Sequence, residues 1–148
     1  MAKSFNIRPL ELRDRDQWQY IWGEYLKFYE TKLPIETYSE TFYRLTDSNN
    51  TNQNCLVAHS GDTLYGLVHY IYHAHNWKTE DVCYLQDLFT LNEMRRQGIA
   101  KALIKAVYEA ADTNGTPSVY WMTQEFNQGA RKLYDQVASL TPFIKYQR

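Results

Sequence analysis

The sequence predicts an α/β protein with a mixed sheet and helices on both of its faces. Strand-like and helix-like runs alternate along all 148 residues in the order β-α-α-β-β-β-α-β-α-β, and no linker separates them. A hydrophobic fraction of 44%, with only 6 Gly and 4 Pro, is typical of a folded chain. The length fits one domain, residues 1–148, that is large enough to bury a core.

The first half of the chain predicts a strand, two helices and a hairpin. The strand is Phe5–Pro9, and Asp14 then looks like the N-cap of a helix, with Gln17 at the capping-box position. Pro34 favours the start of a second helix, and the polar run Thr46–Gln53 is typical of a loop. The hairpin strands that follow are Cys55–Ala58 and Leu64–His73.

The second half alternates strands and helices. The apolar run Val82–Thr90 is typical of a strand, and it contains a single carboxylate, Asp87. Apolar residues then recur at helical spacing from Ile99 to Ala111, and this helix is expected to end near Gly115. The remaining predicted elements are a strand at Ser118–Met122, a helix at Asn127–Val137 and a last strand at Phe143–Tyr146.

A cationic turn joins the Val82–Thr90 strand to the following helix. Backbone N–H groups at a helix start lack intrahelical partners, and the helix dipole favours negative charge there. Gly98 allows close approach of a ligand to the backbone, while Arg95 and Arg96 can form charge-assisted bonds. We therefore predict a phosphate site rather than merely solvated arginines. Its backbone contacts would come from Gln97, Gly98, Ile99, Ala100 and Lys101.

Three segments together resemble the GCN5-related N-acetyltransferases. The turn, Arg95-x-x-Gly-x-Ala, resembles the signature that cradles the pyrophosphate of acetyl-coenzyme A (acetyl-CoA). The run Asn127-x-x-Ala-x-x-x-Tyr134 resembles the second motif, and Tyr84–Thr90 resembles the strand that splays open to receive the acetyl arm. The match is greatest to the Hpa group of histone and polyamine acetyltransferases of fungi and bacteria, where it covers nearly the whole chain.

The resemblance implies a fold and a reaction. The expected fold has a twisted, mostly antiparallel mixed sheet with a splayed central strand. The expected reaction moves an acetyl group from acetyl-CoA directly to a primary amine, without an acyl-enzyme. The acceptor classes are a small amine, a polyamine, an amino acid or a lysine side chain. A small amine is favoured, with a basic peptide tail as a second partner. Relatives also form homodimers through C-terminal strands.

Coenzyme-binding roles follow from the same resemblance. Strand residues would act through their backbone groups, and the Asn127 amide can offer a donor and an acceptor to a pantetheine amide. The alternative for Asn127 is a helix N-cap, and one residue can do both. The predicted coenzyme-binding residues are Leu88, Phe89, Thr90, Arg95, Arg96, Gln97, Gly98, Ile99, Ala100, Lys101, Asn127, Ala130 and Tyr134.

Tyr134 and Asp87 are the candidate catalytic residues. A phenol can protonate a departing thiolate because its pKa, about 10, is near that of a thiol; the alternative for Tyr134 is a core tyrosine. Asp87 is either a base or a group that fixes backbone geometry. Gln86 stands where polyamine acetyltransferases carry glutamate. Two alternatives to a carboxylate base therefore stay open: a relay through water, and an amine that is already neutral. An acyl-CoA-binding sensor with little turnover also stays open as the function.

The acceptor side is predicted on the first two helices, which carry carboxylates among aromatic rings. Such a surface suits a cationic amine through ion pairing and cation–π contacts. Most of the glutamates are equally well explained as solvated helix positions. The candidate acceptor residues are Trp22, Tyr25, Tyr29 and Glu30.

Composition and sequence pattern argue against several other kinds of function. A net charge of −1 disfavours nucleic-acid binding. No apolar run approaches the ~20 residues of a membrane span, and the N-terminus lacks a signal-peptide core. The 4 histidines have no ligand partners at metal-site spacing, so no metal is expected. We expect a cytoplasmic protein, or also a nuclear one if the source is eukaryotic, with 2 reduced cysteines.

Overall fold

The computed structural model describes residues 4–148, which form one five-stranded sheet with helices on both faces. Short 3-10 turns at Leu12–Asp14 and Asn92–Met94 precede the first and third helices. The strands are β1 Asn6–Pro9, β2 Gln53–Ser60, β3 Thr63–His73, β4 Val82–Thr90 and β5 Val119–Tyr120. The helices are α1 Arg15–Phe28, α2 Ile35–Thr46, α3 Ile99–Thr113 and α4 Gln128–Val137.

The sheet has the strand order β1-β2-β3-β4-β5, and only the β4–β5 pair is parallel. The prediction of a mixed, mostly antiparallel sheet is therefore confirmed. The apolar stripe of α3, which includes Leu103 and Val107, packs on one face. Trp18 and Ile21 of α1 and Phe42 of α2 pack on the other. Fully burying one such side chain stabilises the fold by about 1.5–3 kcal/mol, so the packing of helices on both faces stabilises the sheet.

Strands β4 and β5 diverge soon after they meet. They pair only at Cys83–Val119 and Tyr84–Tyr120, and β4 then continues to Thr90 without a β5 partner. This confirms the predicted splayed strand. Strand β5 is also shorter than the predicted Ser118–Met122, because the chain leaves the ladder after Tyr120. The gap leaves one edge of β4 without a strand partner over the stretch that the resemblance assigns to the acetyl arm.

A bulge lies where the two strands separate. Asp87 faces His69 and Leu85 faces Tyr70, so the exposed Gln86 has no partner on β3. Residues two apart on a regular strand share a face, and an extra residue reverses that parity. Leu85 accordingly packs on the α3 side, whereas Asp87 bonds to α1. The bulge therefore turns the carboxylate towards α1.

The predicted capping box of α1 and the predicted last strand do not form. Asp14 occupies the N-cap position of α1, as predicted, but its side chain does not cap the helix, because it accepts hydrogen bonds from Arg8 (2.6 and 2.9 Å) and the Glu11 N–H (2.8 Å). Gln17 bonds instead to the Leu64 N–H at 2.9 Å, which ties α1 to β3. The predicted last strand does not form: residues 143–146 lie in no strand of the described chain, and Tyr146 is 90% exposed.

Within residues 4–148, no helix combines the length and hydrophobicity that crossing a membrane requires. The same residues hold no group of three or more His, Cys, Asp or Glu side chains arranged to bind a metal ion. Both cysteines are buried free thiols.

Candidate active site

The turn between β4 and α3 has the backbone of an anion site. Arg96 (φ 62°) and Gly98 (φ 82°) both adopt the left-handed conformation, which curves a chain so that its N–H groups gather on the concave side. No side chain caps the first turn of α3. Its N–H groups and the positive helix end therefore favour phosphate. A Cβ placed on Gly98 would meet no atom within 4 Å, so the space beside this residue is open.

The two arginines of the turn differ in their surroundings. Arg95 Nε donates to the Thr90 carbonyl at 3.3 Å, and its guanidinium lies 5.4 Å from the centroid of the Phe89 ring. These contacts tie the turn to the end of β4. Arg96 is exposed beside Gly98. Arg95 is thus placed to hold the turn in position, and Arg96 to add positive charge at its surface.

The end of β4 is closely packed against β3. Gly66 faces Thr90 in the ladder, and a Cβ on Gly66 would come within 2.8 Å of the Phe89 carbonyl oxygen. Among the described residues, the buried Thr90 Oγ1 has no hydrogen-bond partner. A buried polar group without a partner costs about 1–3 kcal/mol. Leu88 is half-buried on the same stretch, which is the stretch that β5 leaves unpaired.

Helix α4 brings the second motif to the other wall of the gap. Asn127 occupies the N-cap position, yet its side chain does not cap the helix; its Nδ2 lies 3.5 Å from Thr123 Oγ1. The capping alternative is therefore not realised, and the amide turns towards the segment that follows β5. Ala130, one turn along the helix, is half-buried.

Tyr134 sits between the core and the site. Its ring packs edge-on against Trp121 with the centroids 5.4 Å apart, and it borders the hydrophobic cluster beneath α3. Burial, followed by the nearby Tyr29 hydroxyl, raises the pKa of Tyr134 to about 12. The phenol therefore keeps its proton at neutral pH and can donate it or a hydrogen bond. It is both a core tyrosine and a proton-bearing group near α1.

A buried hydrogen-bonded network surrounds Asp87. His69 Nδ1 lies 2.8 Å from Asp87 Oδ2, and Trp22 Nε1 donates to the same oxygen at 3.2 Å. Trp18 Nε1 in turn donates to His69 Nε2 at 3.0 Å. Asp87 is 7% exposed and His69 4%. The carboxylate that the sequence places on β4 is thus held by donors from both β3 and α1.

Tyrosine side chains border this network on the side of the gap. Burial, and then the Asp87 charge, raises the pKa of both Tyr25 and Tyr29. Burial likewise raises the pKa of Tyr84, with smaller contributions from Tyr120 and Asp87. Tyr84 stacks on Tyr120 with the ring centroids 4.9 Å apart. Neutral phenols and aromatic rings of this kind suit contact with an amine.

The structure brings some predicted acceptor residues together and separates others. Tyr25 and Tyr29 pack against each other, with centroids 5.0 Å apart, next to Asp87. Trp22 is buried in the core, where its Nε1 donates a hydrogen bond to Asp87. Glu30 is exposed at the end of α1, with a φ of 53°. Sequence reasoning missed the neighbours that β-pairing supplies, namely His69, Tyr84 and Tyr120.

The splayed sheet, the cationic turn and the proton-bearing groups between them are the features that the acetyltransferase resemblance predicts for a site. The sequence profile of the acetyltransferase (GNAT) family matches residues 16–138, and the chain belongs to that family. It is an N-acetyltransferase.

Individual relatives agree with the family. A D-amino-acid N-acetyltransferase, HPA3 of Saccharomyces cerevisiae, is 35% identical over 96% of this chain and 89% of its own. A thialysine N-epsilon-acetyltransferase of Caenorhabditis elegans is 24% identical over 91% of this chain and 82% of its own. The solved aminoglycoside N-acetyltransferase AAC(6')-Iy in complex with CoA shares the fold: its TM-score is 0.85 at 16% identity, with 100% of this chain and 96% of that chain covered.

Proposed function

We propose that the protein transfers the acetyl group of acetyl-CoA directly to the primary amine of a small molecule. The observation that carries the proposal is the gap between β4 and β5. The uncapped turn at Gly98 lies beyond one end of the unpaired stretch of β4, and the Asp87 network lies beside the bulge at the other. An activated acyl group and an amine can therefore meet beside the unpaired edge of β4.

Residues on three elements would hold the coenzyme. The backbone N–H groups from Gln97 to Lys101 and the Arg96 side chain suit the pyrophosphate. Backbone groups of Leu88–Thr90, exposed to the gap by the loss of β5, suit the amides of the pantetheine arm. The Asn127 amide and the half-buried Ala130 would border the same arm from α4.

The proposed chemistry requires a proton to leave the amine and another to reach the sulfur. Acetyl-CoA supplies the acyl group as a thioester. Asp87 would accept the amine proton, directly or through a water, as the amine nitrogen bonds to the acyl carbon. Tyr134, still protonated at neutral pH, would donate to the departing thiolate as the carbon–sulfur bond breaks. Holding both partners in line supplies about 7–11 kcal/mol in well-oriented cases.

The proposed acceptor is a compact amine such as an amino acid. Both named relatives acetylate amino acids or an amino-acid analogue by name, and Tyr25, Tyr29 and Tyr84 offer rings and hydroxyls beside Asp87. Glu30, exposed at the end of α1, would attract a cationic group at the rim. A polyamine or the lysine of a basic peptide tail is the second acceptor class. We also propose that the chain is a single domain, that it forms a homodimer and that it is located in the cytoplasm.

The decisive experiment measures acetyl-CoA-dependent thiol release with a panel of acceptors, each set against a reaction without acceptor. The panel contains D- and L-amino acids, spermidine, putrescine, an aminoglycoside and a histone-tail peptide. We expect turnover with amino acids to exceed that with the peptide. Preference for the peptide would contradict the proposed acceptor. Tight acetyl-CoA binding without turnover on any acceptor would favour an acyl-CoA-binding regulatory module instead.

A further inference from the structure

We propose that His69 is a positioning residue that orients Asp87, an inference that rests on the role of Asp87 proposed above. The two residues face each other in the β3–β4 ladder, next to the bulge. Their side chains are almost completely buried and joined by a 2.8 Å hydrogen bond from Nδ1 to Oδ2. The bulge turns Asp87 to this face, and His69 is the residue that β3 presents to it.

The position of the imidazole proton follows from Trp18. An indole N–H can only donate, and Trp18 Nε1 lies 3.0 Å from His69 Nε2. His69 Nε2 therefore accepts and carries no proton. A neutral imidazole with a bare Nε2 carries its proton on Nδ1, so Nδ1 donates to Asp87. Trp18 of α1 thus fixes the tautomer of His69 in which Nδ1 donates to Asp87 of β4.

Two donors converge on a single oxygen of Asp87. Trp22 Nε1 lies 3.2 Å from Oδ2, and His69 Nδ1 lies 2.8 Å from it. Hydrogen bonds to the charged form of a carboxylate favour that form. They also fix the plane of the carboxylate, since one comes from α1 and the other from β3. In the Ser-His-Asp arrangement a carboxylate orients an imidazole; here the imidazole orients the carboxylate.

Among residues 4–148, no lysine or arginine forms an ion pair with Asp87, whose partner at ion-pair distance is His69. The other titratable groups that face Asp87 are phenols and a thiol, and burial raises the pKa of each, so they stay neutral at neutral pH. The neutral side chains that donate to the carboxylate are His69, Trp22 and, through its hydroxyl, Tyr25. The facing groups are His69 on β3, Tyr25 and Tyr29 on α1, Cys55 on β2 and Tyr84 on β4.

A matched pair of substitutions tests the proposal. The side-chain amide of Asn reaches about as far as imidazole Nδ1, whereas that of Gln reaches about as far as Nε2. His69→Asn therefore keeps a donor for Asp87, and His69→Gln keeps only a partner for Trp18. We expect His69→Gln to lower kcat about 10- to 100-fold, the range for a hydrogen bond to a charged group. His69→Asn should recover most of the loss.

Acetyl-CoA affinity should stay within about twofold in both variants, because the phosphate turn lies beyond the other end of the unpaired strand. Equal losses in the two variants would reduce His69 to a packing residue and overturn the proposal. Nitrogen-15 spectra of histidine-labelled wild-type protein test the tautomer without any substitution. A proton on Nε2 of His69 would overturn the proposal even if both variants failed to fold.

Asp87→Asn separates the two proposals. Full activity in this variant would refute the catalytic role of Asp87 and, with it, the purpose assigned to His69. A large loss in Asp87→Asn together with equal behaviour of the two His69 variants would overturn the role of His69 alone.

Discussion

Leu85 and Asp87 are two residues apart on β4, yet they lie on opposite faces of the sheet: Leu85 packs on the α3 side, and Asp87 accepts a hydrogen bond from Trp22 of α1. The unpaired Gln86 between them produces the inversion. Without the bulge, the carboxylate would point into the apolar layer under α3, where burying a charge is costly. The bulge therefore gives the site its carboxylate at the point where β5 leaves.

Tyr134→Phe should lower kcat by about 100-fold or more, the usual scale for loss of a general acid. The ring remains to pack against Trp121, so the melting temperature and acetyl-CoA affinity should change little. Steady-state kinetics and calorimetric binding measure the two effects. Tyr43→Phe is the matched control, because Tyr43 is 63% exposed on α2 and should be silent. Unchanged kcat in Tyr134→Phe would contradict the assigned role.

The pH dependence of kcat should also reflect the high pKa of Tyr134. A group with a pKa of about 12 is protonated throughout the range in which the enzyme can be assayed, so Tyr134 remains a donor up to pH 10. Any loss of kcat between pH 8 and about 10 should therefore persist in the residual activity of Tyr134→Phe. Disappearance of such a basic limb in that variant would show that the phenol titrates far lower than its burial indicates.

Gly98→Ala should weaken acetyl-CoA binding and destabilise the fold. The φ of 82° costs a non-glycine residue about 1 kcal/mol or more, although a Cβ there would meet no atom within 4 Å. The loss thus comes from backbone conformation rather than collision. Gly129→Ala in α4 is the control, since its Cβ also has open space and alanine should gain about 0.5–1 kcal/mol in a helix. Thermal melts and binding titrations compare the pair.

The pattern of the sequence was sufficient for elements and motifs but not for the pairing that assembles the site. Periodicity located β4 and α3, and the resemblance located the turn at Gly98 and the splay of β4. The contact of His69 with Asp87 depends on strand register and on the bulge, neither of which local pattern encodes. The predicted strand at 143–146 failed for a related reason, because an apolar run becomes a strand only beside a partner.

The Arg8–Asp14 pair should make stability fall in acid. Burial opposes the charge on Asp14, but hydrogen bonds from Arg8 and the Glu11 N–H outweigh it and hold the pKa of Asp14 below its usual value. A carboxyl with a lowered folded pKa stabilises the fold above its unfolded pKa, about 3.9, and this stability is lost as pH falls through the folded value. In Asp14→Asn, the melting temperature should be lower than that of the wild type at pH 7. It should also decline less steeply below pH 4, as thermal melts across this pH range would measure.

Arg95→Ala and Arg96→Ala should separate the structural and the electrostatic contributions of the turn. Arg95 donates to the Thr90 carbonyl and covers the Phe89 ring, so its loss should lower the melting temperature and loosen the turn. Arg96 is exposed, so its loss should leave the melting temperature unchanged. It should weaken acetyl-CoA binding about 10-fold at low salt, because a charge-assisted bond to phosphate is lost, and the difference should shrink as salt screens the charge. Binding titrations at low and high ionic strength, run beside thermal melts, measure both effects. A salt-independent defect in Arg96→Ala would mean that the side chain acts through the conformation of the turn and not through its charge.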